Sequence, residues 1–500
     1  MSDIFLRQSG VLAISRDSQK PLLCFAALVI LAGCSTYNEQ TKTTIESAIV
    51  GDIDKSLVDL ESHNRSKDKE LLYYLEKGEI LRLKGAHSES RDSWLVADQK
   101  VHEWEQTARY TPDKLLGDLG SVIMNDTTLP YYGRDYEKVF LSVRLALNHL
   151  AMNEWDKARV EIKKMHERES IIAEFRSKEL DAAKAKAREK SLSATAPKDL
   201  NGYPIETLTD PEVRSLKNSY ESAFANYLAG FVYESQGDIS LAAPGYRKAA
   251  EMRPNIPLID RGLSELDTRA GKKQNPNLVD TLIVIETGEA PQVISKSVPI
   301  PIPTPKGLEI TAMSWPVVQP DNLNKRPTAV KIDGQPVEFA TLTDVNPMAR
   351  RAISDEMPGI IARSSIRAIT RAASQYAIDQ ANSQNTGNAA LVGALFSLAT
   401  KIATVATEVA DTRIWRTLPG HYSISRTQLP AGIHQIKVAT ATGTTQKDFL
   451  VSSGKYSFVE LRSYGANVYV TPSPILPSSV PVARLDNTIV AIQKIEKYQR

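Results

Sequence analysis

The sequence predicts an α+β multidomain protein: an N-terminal all-α helical repeat array, then a β-sandwich-like region with a helical-hairpin insertion. Three observations lead there. Small and aromatic residues recur at fixed offsets through helix-length apolar patterns between about residues 40 and 270. Past residue 273 the chain turns to β-branched runs punctuated by Gly and Pro turns. A helical pattern returns within about 346–412. With 500 residues, 42% hydrophobic and 24% charged, the chain can bury several cores. The expected divisions are a leader at 1–33, a repeat domain at 34–272, strands at 273–345, the insertion at 346–412, a β-sandwich at 413–485 and a tail at 486–500.

The leader is read from "PLLCFAALVILAGC", residues 21–34. An apolar run of about a dozen residues is shorter than the roughly 20 a helix needs to span a bilayer. Arg7, Arg16 and Lys20 precede it, and Ala32 and Gly33 close it, which is the order of a secretory signal. Leu31-Ala32-Gly33-Cys34 resembles the lipobox of bacterial lipoproteins. That resemblance implies cleavage between Gly33 and Cys34, acylation (palmitate among the chains) of the Cys34 thiol, and membrane attachment through it. Ser35, in place of aspartate, implies sorting to the outer membrane.

Cysteine and charge narrow the function further. The two cysteines are Cys24 in the leader and Cys34, so the mature chain keeps no thiol for a disulfide, a zinc site or nucleophilic catalysis. Loss of residues 1–33 removes three Lys/Arg and two Asp/Glu, taking the formal charge from +2 to +1. So small a charge gives no drive toward nucleic acid. Seven histidines are dispersed, and His102-Glu103 and His166-Glu167 each lack the second histidine of a zinc-protease helix. No nucleophile elbow, phosphate-binding loop or dinucleotide fingerprint occurs. The expectation is therefore no enzyme, no catalytic residue, no metal and no cofactor.

The helical half is clearest at residues 226–254. Gly230, Tyr233, Gly237, Ala242, Tyr246, Ala249 and Pro254 are similar in spacing to a tetratricopeptide repeat. Gly230 and Ala242 are small where two helices cross, Tyr233 and Tyr246 fill the space beside them, and Gly237 supplies the turn. Pro244 is expected in the first turn of a helix starting near Ala242. Gly78, Leu81, Gly85, Ser90, Trp94 and Ala97 repeat the offsets. Ala146, His149, Ala158, Ile162 and Met165 repeat them with Asn153-Glu154 at the turn. Residues 45–62 read as a degenerate first pair turning at Gly51. A single long helix is expected over about 154–191, and Asp210-Pro211 as a cap and first turn. In tetratricopeptide arrays the first helix of each pair lines a groove that holds a partner's peptide. The resemblance places Tyr227, Phe231, Glu234, Glu79 and Arg82 on that face. The competing reading packs the same side chains against the long helix or the back half.

In the back half, residues 278–288 read as a buried strand ending on glycine, and 297–307 as an edge or connector with alternating prolines. Asp333-Gly334 marks a hairpin. Strands after Arg413 turn at Pro430-Ala431-Gly432, Thr442-Gly443 and Ser453-Gly454, and residues 429–456 are similar to small β-sandwich modules of the PEGA type. In the insertion, Arg363, Arg367 and Arg371 form an i, i+4, i+8 row opposite Ile366, Ile369 and Ala373. Residues 391–410 read either as a membrane-touching arm or as a tightly packed helix. Lys401 and Glu408 on one face favour packing.

Across the mature chain, residues 131–150, 410–420, "KARVEIKK" and "MPGIIARSSIRA" resemble a family of Gram-negative lipoproteins with helical repeats before a β-rich region. The resemblance implies a periplasm-facing outer-membrane lipoprotein that scaffolds or regulates an envelope complex through a protein partner. The alternatives are a cell-wall enzyme and a surface structural or adhesive lipoprotein.

Overall fold

The computed structural model describes residues 37–115, 127, 129–189, 204–271, 275–304, 307–319, 325–383, 409–441 and 443–472. Gly33 and Cys34, residues 391–408 and the 486–500 tail lie outside them. The fold is α+β, with helical repeats first and a β-sandwich behind them.

Four antiparallel helix pairs build the front. They are α1 (Tyr37–Val50) with α2 (Ile53–His63), α3 (Leu71–Leu83) with α4 (His87–Tyr110), α5 (Asp135–Ala151) with α6 (Trp155–Glu189), and, after the short α7 (Glu206–Thr209) and α8 (Pro211–Ser215), α9 (Ala223–Ser235) with α10 (Ile239–Met252). The turns share one backbone device. Gly51, Gly85 and Gly237 sit at φ +90°, +80° and +80°, and the third pair uses Asn153 at +59°, asparagine being the non-glycine residue that enters this region most readily. The crossings are as tight as the small residues demand. A methyl at Gly230 would lie 2.7 Å from the Tyr246 ring, and one at Gly78 2.2 Å from Trp94 Nε1. Ser90 Oγ donates to Gly78 O at 2.7 Å across the second crossing.

Side-chain caps begin several helices: Asp52 Oδ1 accepts from Lys55 N at the start of α2. Asp210 Oδ1 accepts from Val213 N with Pro211 in the first turn, and Ser222 Oγ accepts from Ala225 N. One expectation is corrected: α10 starts at Ile239, not near Ala242, so Pro244 lies inside the helix. The long helix is present as α6, 35 residues or about 52 Å at 1.5 Å per residue. Two short helices, α11 (Pro257–Ser264) and α12 (Leu266–Gly271), end the array.

The strands are β1 (Val279–Thr287), β2 (Val293–Thr304), β3 (Gly307–Val318), β4 (Pro327–Ile332), β5 (Gln335–Pro336) and β6 (Ala340–Asp344), then, after helix α13 (Val345–Ser383), β7 (His421–Leu429), β8 (Gly432–Thr440), β9 (Gly443–Val451), β10 (Tyr456–Tyr464) and β11 (Asn467–Thr471). They make a five-stranded sheet in the order β11-β10-β1-β7-β6, a four-stranded sheet β5-β4-β8-β9, and a β2-β3 ribbon. β1 pairs parallel with β10 and antiparallel with β7, so it is central, and every residue of it is buried. The prolines of β2 fall in a two-stranded ribbon, where missing donors cost little. Asp333 and Gly334 both take positive φ and close the β4–β5 hairpin. The turns at Pro430-Ala431 and Ser453-Gly454 carry the chain from one sheet to the other.

The five-stranded sheet is buried on both faces. Val279, Ile283, Ile285, Val459 and Leu461 meet Val330, Ile436, Val438 and Phe449 of the smaller sheet. On the other face Leu282, Val284, Tyr422, Ile424 and Phe458 join the core of the helical array. The boundary near residue 272 thus separates two kinds of secondary structure but not two cores. α13 begins at Val345 and runs through Pro358, with Arg367 of the arginine row buried; no helix among the described residues is long and apolar enough to cross a membrane.

Candidate functional site

The inner face of the array is built by the first helices of successive pairs, as the repeat spacing predicts. From α3 it takes Glu76, Glu79 and Arg82, from α5 Glu137, Arg144 and Asn148, and from α9 Tyr227, Phe231 and Glu234. All nine are buried, Glu79, Arg144, Asn148 and Phe231 completely. The expectation that Tyr227, Phe231, Glu234, Glu79 and Arg82 form an open binding surface is therefore corrected for this chain on its own. The five-stranded sheet closes over them.

The closure is charge-matched. Sheet residues facing the helices alternate along each strand and include Asp280 and Glu286 on β1, Arg426 on β7, and Glu460 and Arg462 on β10. The Arg144 guanidinium grips Glu79 with two hydrogen bonds of 2.7 and 3.0 Å and also pairs with Glu286. Arg82 donates to Glu460 and to Asn148. Arg426 reaches Glu234 at 2.9 Å and Asp280 at 2.7 Å. Arg269 at 2.7 Å and the Tyr246 hydroxyl at 2.6 Å also donate to Glu234. Phe231 packs edge-on to Tyr456 of β10 with centroids 5.8 Å apart, and Tyr227 against Tyr246 at 5.1 Å.

Protonation follows from this crowding. Burial alone would raise Glu234, but Arg269, Arg426 and Tyr246 hold it at about 2. Burial pushes Glu286 upward in spite of Arg144, because Glu460 and Glu79 stand close by. Arg82 and Arg144 override burial at Glu460 and hold it low. The two carboxyls share one crowded site, in which Glu286 is pushed toward the neutral form and Glu460 toward the charged one.

Between α3 and α5 the inner face holds a strap, residues 411–418, that ends in a turn at 416–418. Glu137 Oε1 accepts from Trp415 N at 2.7 Å. Glu76 accepts from Arg416 N at 2.7 Å, Thr417 N at 3.0 Å and Thr417 Oγ1 at 2.5 Å. Burial pushes Glu76 up to about 7 even against these donors. Ile414, Trp415 and Leu418 are wholly buried, and Trp415 meets Trp94 edge-on at 6.1 Å. Carboxylates on repeat helices thus accept from backbone N–H groups of a strap and its turn, and the strap belongs to the same chain. The Tyr37 hydroxyl at the start of α1 donates to Glu76 at 3.1 Å, tying the N-terminal helix to this point.

Sequence reasoning placed the right helices but missed Glu76, Glu137, Arg144 and the strap. The available signal was Ile414, Trp415 and Leu418, three large apolar residues in a stretch with neither helical nor strand period. Among the described residues no group of three or more His, Cys, Asp or Glu side chains could hold a metal ion.

No family model matches the chain, and no curated protein matches it. Among solved structures, a tetratricopeptide repeat protein from Parabacteroides merdae ATCC 43184 is 14% identical, with 46% of this chain and 98% of that chain covered and a TM-score of 0.13. The C-terminal part of a TPR repeat-containing protein from Cytophaga hutchinsonii is also 14% identical, with 50% and 95% covered and a TM-score of 0.14. The repeat assignment rests on the helix pairs, turns and crossings themselves.

Proposed function

We propose that this protein is a lipid-anchored, non-enzymatic scaffold or regulator of a cell-envelope complex, held to the outer membrane through acylated Cys34 and facing the periplasm. The observation that carries the reading is the inner face gripping its own strap through Glu76 and Glu137. This is side-chain capture of backbone N–H groups, a chemistry shared with peptide recognition, turned inward. Partner contact then falls on the outer helices, where Leu95 and Val96 of α4, Val160 of α6 and Leu241 of α10 stand exposed. Cys34 lies three residues before Tyr37, a reach of about 10 Å at most, so the anchor holds the folded body at the membrane surface.

Two measurements test this. Cys34→Ala should leave an unprocessed precursor that takes up no labelled fatty acid; normal processing and labelling would remove the anchor. Crosslinking in intact cells through probes at positions 96, 160 and 241 should capture one recurrent envelope protein. Identical crosslink patterns from probes on the four-stranded sheet would argue against the outer helices as the contact.

A further inference from the structure

The two sheets of the sandwich end in the edges β6, β11, β4–β5 and β9, and the first three are met by other parts of the chain. At β6, Phe224 N donates to Thr343 Oγ1 and Arg253 donates to the Thr341 carbonyl. At the start of β11, Asn467 donates to the Ile49 carbonyl of α1. β5 lies along β4, and Val337 N donates to Val330 O. The last edge, β9, is a nine-residue strand without a proline. One bond fixes which of its backbone groups face outward: Leu450 N donates away from β8, to the Pro472 carbonyl at 3.3 Å. Backbone direction alternates along a regular ladder, so the N–H and C=O groups of Thr444, Gln446 and Asp448 point outward too. All three residues are exposed, and among the described residues no backbone group pairs with them on that side.

A row of open donors and acceptors is a template for another strand, and charged side chains are the usual guard against it. Lys447 and Asp448 are charges of that kind, but β9 is self-complementary about Gln446. On an antiparallel second copy related by a two-fold axis at that residue, Asp448 meets the second copy's Thr444, Gln446 meets its counterpart, Lys447 meets Thr445 and Phe449 meets Gly443. No like charges stand directly opposite. The open residues of each copy then form hydrogen-bonded pairs, two N–H···O bonds to a pair, while Leu450 keeps its bond to Pro472. Asp448 Oδ1 accepts from Gln435 at 3.2 Å, which leaves Oδ2 for the opposing threonine hydroxyl. Moving the axis to 447 or 448 sets lysine on lysine or aspartate on aspartate, so those registers are disfavoured.

We propose that β9 is a self-association edge: two copies of this chain pair antiparallel about Gln446 and join their four-stranded sheets into one. A single strand pair covers less than the roughly 1,200 Å² of a standard interface, so the association is weak and concentration-dependent in solution. It does not depend on the acylated anchor, although tethering two copies to one membrane raises their effective concentration.

The test uses the chain from Ser35 onward, which keeps every described residue and has no cysteine. Gln446→Cys then supplies the one thiol, and the two-fold sets it against its counterpart with Cα atoms about 5.5 Å apart, within disulfide reach. Mild oxidation should link dimers at least about tenfold faster than in Lys447→Cys, whose thiols fall on a diagonal of about 7–8 Å, or in Lys437→Cys on β8. Sedimentation equilibrium should show concentration-dependent dimers. Gln446→Pro deletes both bonds of the central pair while its nitrogen faces away from β8, and should weaken dimerisation about tenfold or more. If that variant fails to fold, Gln446→Lys decides, since it sets like charges across the axis and should cost about threefold or more. Monomer at every concentration with no linkage at 446, the result expected if the chain beyond Pro472 covers β9 instead, overturns the proposal. So does a dimer that survives the folded variant, or linkage at 447 or 437 as fast as at 446. Fatty-acid labelling of Cys34 tests the anchor separately.

Discussion

Replacing Glu234 with Gln separates a packing role from a binding role at a residue that repeat spacing alone would assign to a partner. The carboxylate is the common acceptor for Arg269, Arg426 and the Tyr246 hydroxyl, and its pKa in the fold is about 2. Against an ordinary glutamate near 4.3, a depression of about 2 units is worth roughly 3 kcal/mol at about 1.4 kcal/mol per unit. The folded-state value is lowered, so this stability is complete above the unfolded pKa and is lost as pH falls from about 4.3 toward 2. Glu234→Gln should therefore cost about 3 kcal/mol in urea unfolding at pH 7, within the range for breaking a buried ion pair. The gap to wild type should shrink steadily below pH 4 because the wild-type residue is then being neutralised. Equal stabilities at pH 7, or parallel pH profiles for the two proteins, would refute the buried network and restore Glu234 as a free surface group.

Other substitutions probe separate links. Gly230→Leu drives a side chain into the Tyr246 ring and should destabilise by at least about 1–3 kcal/mol, read as a lower melting temperature. Asn153→Gly should be neutral or stabilising, while Asn153→Val should cost about 1–2 kcal/mol, since only the former relaxes at φ +59°; chemical unfolding distinguishes them. Trp415→Ala empties a site closed by Trp94 and should cost about 3–5 kcal/mol, with loss of the strap's amide protection in hydrogen exchange.

The parts of the fold legible in sequence were those carried by local rules. Gly78, Gly230, Trp94 and Tyr246 announce close crossings because a Cβ has nowhere to go, and Asp333-Gly334 announces a hairpin because both residues tolerate positive φ. Pro244 misled for a local reason too. Proline is usually a helix-start residue, and here it sits within a helix that begins at Ile239. The inner face was half legible. Repeat spacing identifies which residues of α3 and α9 point inward, but whether that face is open depends on residues 279–287, 411–429 and 456–464, some 50 to 380 positions away in sequence. No periodicity within α3 records that Arg82 will find Glu460. Charged residues at groove positions are ambiguous in principle, since matching a partner and matching a distant strand of the same chain call for the same side chains.

Helix α1 meets the β10–β11 turn directly. The Asn467 side chain donates to the Ile49 carbonyl at 3.2 Å, and the Gly465 Cα packs so near that carbonyl that a methyl there would sit 2.2 Å from it. Helix α1 is therefore seated by strands made more than four hundred residues later, and the central strand β1 gains its parallel neighbour only with β10. A chain ordered this way is slow to close, because loop entropy must be overcome before its distant contacts repay it. For a polypeptide threaded through a membrane while unfolded, as the proposed anchor requires, delay is useful: the translocating chain lacks the strands that would lock it. The same delay leaves the inner faces of α3, α5 and α9, with their aromatic and still unpaired charged side chains, uncovered until residue 464 has arrived, so holding chaperones in the receiving compartment have a defined stretch of chain to protect.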